Sequence, residues 1–316
     1  MKVILKSSAP HSHTIYQIPS FFQRTKLSAI YGNFLKMIHP SRQLKNLVRN
    51  MAKGDSIKSQ IIIRNYVMER FLERLAISKY RNTFILKGGT LVSAIVGLDN
   101  RSTMDVDATI IGFPLSIESA REIVEEITSI PLNDEMLFEI RNVTTIMDET
   151  DYSGVRVALD ATLESMRTPL KMDFSTGNII TPREVEYSYQ LLFEERTISI
   201  LAYNLETVLA EKLETLITRG VANTSMRDFY DIYALETMQS ENIDHNLLSL
   251  ALMRTSGKRN SLELVYDASL ILDEIEVSRE MMALWKSYQK KFDYAADISW
   301  SDVMISVKRL YTIMMP

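Results

Sequence analysis

The chain has 316 residues, 46% of them hydrophobic and 24% charged, a balance that suits a soluble globular protein of two ordinary domains. It has no cysteine and only four scattered histidines, which excludes disulfides and Cys-ligated zinc and leaves little material for a His-based metal centre or a Ser-His-Asp triad. The net charge of −4 is unevenly spread: residues 1–81 hold 15 of the 36 lysines and arginines but only Asp55, Glu69 and Glu73 of the 40 acidic residues. Such an imbalance is either an electrostatic footprint for a polyanion such as RNA or a counter-charge for the acidic remainder of the chain. No apolar run reaches eighteen residues and no apolar core of a secretion signal opens the chain, so no membrane span or cleaved leader is expected and a cytoplasmic location is.

Residues 1–41 read as an N-terminal extension, with Pro10, Pro19 and Pro40 and no sustained period. A helix is predicted from the N-cap Asp55 to about Ile77, with Ile57, Ile61, Met68, Phe71, Leu72 and Leu75 as its apolar face. Arg64, Arg70 and Arg74 fall off that face and are candidate RNA contacts. A short buried strand over 83–86 leads to a Gly88-Gly89 turn and a helix through Val96. The next strand spans 104–111, and a helix over 116–129 starts at the N-cap Ser116. Segments 137–147, 154–164 and 168–175 are alternating and β-branched, which predicts three antiparallel strands, and 197–202 reads as one more. From Asn204 the pattern is helical to the end. The expected fold is therefore α+β: a mixed sheet with flanking helices over 42–202, then an all-α domain over 203–316.

The chemistry concentrates in 84–107. A Gly-Gly turn lets backbone approach a phosphate closely, because no Cβ intervenes. Lys87, Gly88, Gly89 and Thr90 are thus candidate nucleotide contacts. Asp105 and Asp107 stand at i and i+2 of a strand and share a face, where they can hold a divalent ion. A phosphate cradle beside two carboxylates points to nucleotidyl transfer, in which metal ions clamp the attacking and leaving oxygens. Asp173, in an apolar strand that ends at Ser175-Thr176-Gly177, is a third metal ligand, a base for the attacking hydroxyl, or a strand-end residue bonded to the next turn. Lys212 sits near the centre of the apolar stripe of helix 204–219, where a lysine meets a phosphate, pairs with a buried carboxylate, or snorkels to the helix edge. Asp228 either completes a capping box with Ser225 or holds Lys212 or Arg227. Arg101 precedes the acidic pair and can offset phosphate charge.

Taken together, these blocks resemble the AbiEii/AbiGii nucleotidyltransferase toxins of the DNA polymerase β-like superfamily. The match rests on Phe84-Ile85-Leu86-Lys87-Gly88-Gly89-Thr90, on Arg101-x-Thr103-x-Asp105-x-Asp107, and on Asp173 with Ser175-Thr176-Gly177 and Ile180-Thr181-Pro182. It is completed by Ala210-Glu211-Lys212-Leu213 with Arg227-Asp228-Phe229-Tyr230-Asp231, and spans roughly 42–235. Asn178 departs from the acidic residue expected after Ser-Thr-Gly. The resemblance implies a nucleotidyltransferase domain and a helical domain with the site between them, and an NTP substrate with Mg²⁺ or Mn²⁺. Asp105, Asp107 and Asp173 would hold the metal, and Lys212, oriented by Asp228, would meet the triphosphate together with Arg101. It also implies the toxin of an abortive-infection toxin–antitoxin pair that modifies the 3′ end of tRNA. The antitoxin would be a winged-helix repressor that forms no stable complex with it. The rival readings are transfer to a protein or small molecule, and a non-catalytic NTP- or RNA-binding module.

Overall fold

A computed structural model describes residues 41–103, 105–147 and 153–315. The expected extension lies almost wholly outside these residues. The chain opens with α1 (Ser41–Ala52), α2 (Ser56–Ile77), β1 (Phe84–Lys87), α3 (Gly88–Val96), β2 (Asp105–Ile110) and α4 (Ile117–Thr128). Strands β3 (Met136–Met147), β4 (Ser153–Leu163), β5 (Met166–Ser175), β6 (Val185–Gln190) and β7 (Thr197–Ala202) follow. The C-terminal region is α5 (Leu205–Arg219), α6 (Met226–Gln239), α7 (His245–Lys258), α8 (Leu262–Tyr266), α9 (Ala268–Val277), α10 (Arg279–Lys291) and α11 (Trp300–Met314).

The described strands form one mixed sheet in the order β3-β4-β5-β2-β1-β7-β6. Pairs β2/β5 and β1/β7 are parallel and the other neighbours antiparallel. The central strand β2 alternates: Val106, Ala108 and Ile110 are buried in the core, while Asp105 and Asp107 face the other way. Helices α2 and α4 cover the sheet on one face and touch each other. The helical region meets the sheet half through α6, which packs on α3, and through Tyr230, whose hydroxyl donates to the Asn100 carbonyl. An aromatic cluster of Phe229, Trp285, Tyr288 and Trp300 fixes α6 and α10 behind that contact.

The predicted α+β class and most elements agree with the structure. Asp55 caps α2 by accepting from the Ile57 and Lys58 amides, and Ser116 caps α4 in a capping box. Two elements were not anticipated. Helix α1 is short with no acidic first turn, and β6 alternates through Tyr187 and Tyr189 among polar residues. The predicted apolar face of α2 needs correction. Ile57 is 70% exposed, whereas Arg70 and Arg74 are buried. From Asn65 to Leu75 every residue of α2 is buried, because sheet, α4 and the β6–β7 connection enclose the helix on all sides. Arg70 pairs with Glu73 and Glu194, and Arg74 makes a bidentate pair with Asp134 at 2.7 and 2.8 Å. Both arginines are buried in ion pairs and present no surface to RNA. Arg64 is half-buried on the same helix.

Candidate active site

Strand registers build the site. Strands β1, β2, β5 and β4 are neighbours, and their pairing aligns Lys87, Asp107, Asp173 and Arg156 in one row across the sheet. Asp105 stands two residues from Asp107 on the same face of β2. The row places a cation at each end and two carboxylates in the middle. Lys87 donates to Ser175 Oγ at 2.7 Å, and Arg156 grips Asp173 with Nε and Nη2, each at 2.7 Å.

Helix α3 starts where β1 ends. Gly88, at φ +60°, turns the chain from strand straight into helix, so the expected Gly-Gly turn is the first turn of α3 itself. A Cβ on Gly88 would lie 2.4 Å from Asp107 Oδ2, closer than any side chain tolerates. The Gly89 amide donates to the same oxygen at 3.2 Å. The glycines thus let the Asp107 carboxylate lie directly against the backbone and point an amide at it. Thr90 differs from its expected place at the nucleotide: it is buried, and its hydroxyl donates to the Asp105 carbonyl at 2.6 Å, tying α3 to β2.

Burial raises the pKa of Asp107 to about 6, with Asp173 and Asp105 adding to the rise and Lys87 opposing it. A half-buried carboxylate flanked by two others is a site that gains from a cation. The donor set is all hard oxygen, which suits Mg²⁺ or Mn²⁺. The Asp105–Asp107 pair fits such an ion, since Mg²⁺ is commonly bound through one or two carboxylates with water and phosphate completing its shell. The expected three-carboxylate arrangement is not formed: among the described residues no three acidic or histidine side chains converge for a metal ion. The reason is Arg156, which takes both oxygens of Asp173.

Lys212, on α5, is the cation that the stripe pattern singles out, and it is half-buried. Its Nζ lies 2.8 Å from Asp228 Oδ1 and 2.7 Å from Asp231 Oδ2, both on α6. Burial lowers the lysine's pKa, but the two carboxylates outweigh it and the net shift is upward. Asp228 therefore holds Lys212, and Ser225 makes no side-chain cap, so the capping box is absent. Asp231 was not assigned a role from sequence. It also accepts from Arg101 Nε at 2.6 Å and Nη2 at 3.3 Å, and so joins Lys212 to Arg101. Burial pushes its pKa up, yet Lys212 and Arg101 hold it below the usual aspartate value. The available signal was spacing: Asp228 and Asp231 stand three apart on one helix face. Arg101 itself is 3% exposed, with Nη2 beneath Gly89, so its place is under the glycines and not at an open phosphate. Asn178 bridges instead of adding acid: its Oδ1 accepts from Ser175 Oγ at 3.0 Å, and its Nδ2 donates to Glu211 Oε1 at 3.1 Å. A carboxylate at 178 would have no hydrogen for Glu211.

By its sequence profile, a chain with this sheet and helical region is a nucleotidyltransferase. Residues 70–305 match the sequence profile described as "Nucleotidyl transferase AbiEii toxin, Type IV TA system", and the chain belongs to that family of toxin–antitoxin nucleotidyltransferases. No curated protein matches the sequence. Among solved structures, it is similar to a candidate nucleotidyltransferase from H. pylori at 15% identity. That likeness covers 81% of this chain and 96% of the other, with a TM-score of 0.46. It is also similar to JHP933 from Helicobacter pylori at 16% identity, covering 81% and 93%, with a TM-score of 0.43. Among the described residues no helix is long and apolar enough to cross a membrane.

Proposed function

We propose that this toxin-family enzyme moves a nucleoside monophosphate from an NTP to an RNA acceptor, the 3′ end of tRNA, and thereby blocks translation. The observation that carries the reading is the close approach of the Gly88-Gly89 backbone to the half-buried Asp107 carboxylate, with Asp105 on the same face. In this reading the α3 N-terminus and the Gly88-Gly89 backbone receive phosphate oxygens, where amides and the helix dipole favour negative charge. Asp105 and Asp107 hold Mg²⁺ or Mn²⁺, which when bound offsets charge on the triphosphate and on the attacking oxygen. Asp173 lies beside Asp107 and accepts the proton of the acceptor hydroxyl or joins the ligand set once Arg156 lets go. Lys212, aimed by Asp228 and Asp231, meets the charge that develops on the leaving pyrophosphate. Arg101 supports Gly89 from below. In this reading 42–202 is the nucleotidyltransferase domain and 203–316 the helical domain, with the site between them. The toxin would work in the cytoplasm against a separate winged-helix antitoxin.

The test is incubation with α-labelled NTP in the presence of total RNA and, separately, of cell protein. Label at an RNA 3′ end is expected, and D107N should abolish it while the melting profile persists. Label confined to protein would favour the rival acceptor. Full transfer by D107N would remove the basis of the mechanism.

A further inference from the structure

Helix α1 has a charged face that nothing in the site uses. Leu44, Val48 and Ala52 bury one side of it against α2. Arg42, Lys45 and Arg49 lie along the flank of that buried side, about 90° round the helix, and are exposed, and exposed Lys53 follows just past the helix end. At 100° per residue the three helical cations fall within a stripe about 60° wide. Among the described residues none of the four has an ion-pair partner, whereas the next cation, Lys58, is bound to Asp99 at 2.7 Å. The preceding forty residues cannot supply one either, because the sequence has no aspartate or glutamate before Asp55.

Four positive charges from residue 42 to 53 extend over roughly 16 Å at helical rise. One nucleic-acid strand carries a phosphate about every 3.4 Å of axis, so this length faces four or five phosphates. We propose that the exposed face of α1 is a backbone-binding surface for the RNA acceptor. It grips phosphates without reading bases, since arginine and lysine on a smooth helix face offer charge and no pocket. The inference rests on the RNA reading above and gives it a contact surface in place of Arg70 and Arg74. The same four charges could in principle meet an anionic lipid surface. RNA is favoured because the stripe has no large apolar residue between its cations to enter a bilayer.

The experiment compares the full chain with the variant R42Q/K45Q/R49Q/K53Q, binding a labelled deacylated tRNA pool over a salt series without NTP. Each lost phosphate contact removes about 0.7–0.9 from the log–log salt slope, so the slope should become shallower by about 3. Affinity at low salt should fall at least about tenfold, with the melting temperature unchanged, as expected for exposed side chains. An unchanged slope and affinity overturns the proposal. So does binding to phosphatidylglycerol vesicles by the parent chain with no binding to tRNA. Failure of the parent chain to label RNA in the transfer assay would instead defeat the RNA-transferase reading, and the binding result would still stand or fall separately.

Discussion

Replacing Gly88 with alanine tests the centre of the site. Two costs can be read from the backbone. At φ +60° alanine sits in the left-handed region, a strain of about 1–2 kcal/mol. The new Cβ also lies 2.4 Å from Asp107 Oδ2 and 2.8 Å from its Cβ and Cγ, where 3.0 Å is the lower bound for real contacts. The half-buried Asp107 carboxylate must therefore shift by at least about 0.6 Å, away from the Gly89 amide it accepts from. A misplacement near 1 Å at a reacting centre can cost roughly 10²-fold in rate. Gly54 supplies the control. It also has positive φ, at +88°, but nothing lies within 4 Å of an added Cβ, so G54A carries strain without collision. Thermal unfolding should show comparable losses for both variants, or a larger loss for G88A. Labelled-NTP transfer should fall about a hundredfold in G88A alone. If G88A and G54A transfer equally well, the carboxylate beside the glycine is not where the chemistry occurs.

Asp231 bridges buried Arg101 and half-buried Lys212; Lys212 keeps Asp228 in D231N but Arg101 loses its only carboxylate, so chemical denaturation should show a loss of about 3–5 kcal/mol. K212M should cut transfer sharply while NTP-independent tRNA binding stays intact, which separates the pyrophosphate end of the site from RNA attachment. R156Q should raise Mn²⁺ affinity in the nucleotide-free chain by freeing Asp173, and the gain should vanish in R156Q/D173N, as calorimetry can measure. Glu69 gives a pH dependence. Burial, the main cause, raises its pKa from 4.5 to about 8, against the pull of the Leu192 amide. Between those values the folded chain keeps a proton that the unfolded chain has released. Its contribution is thus complete below about pH 4.5 and declines at up to about 1.4 kcal/mol per pH unit until about pH 8. E69Q should flatten that part of the stability profile, and an unchanged slope would show that Glu69 is not the titrating group.

The primary sequence determined what its short-range patterns can carry. Alternation in β2 put Asp105 and Asp107 on one face, caps placed α2 and α4, and helical period marked Lys212 as a cation inside an apolar stripe. These are properties of a strand or helix taken alone, and they persist wherever the element is packed. Partners across the fold were decided only by tertiary structure. Register on the sheet gave Asp173 to Arg156 and aligned Lys87 with Asp107, and no local pattern encodes which strands become neighbours. Packing of α5 on α6 made Asp231 the hinge between Lys212 and Arg101. Enclosure of α2 on every side turned two arginines that look like surface charges into buried ion pairs, because burial depends on what surrounds a helix and not on the helix's own sequence.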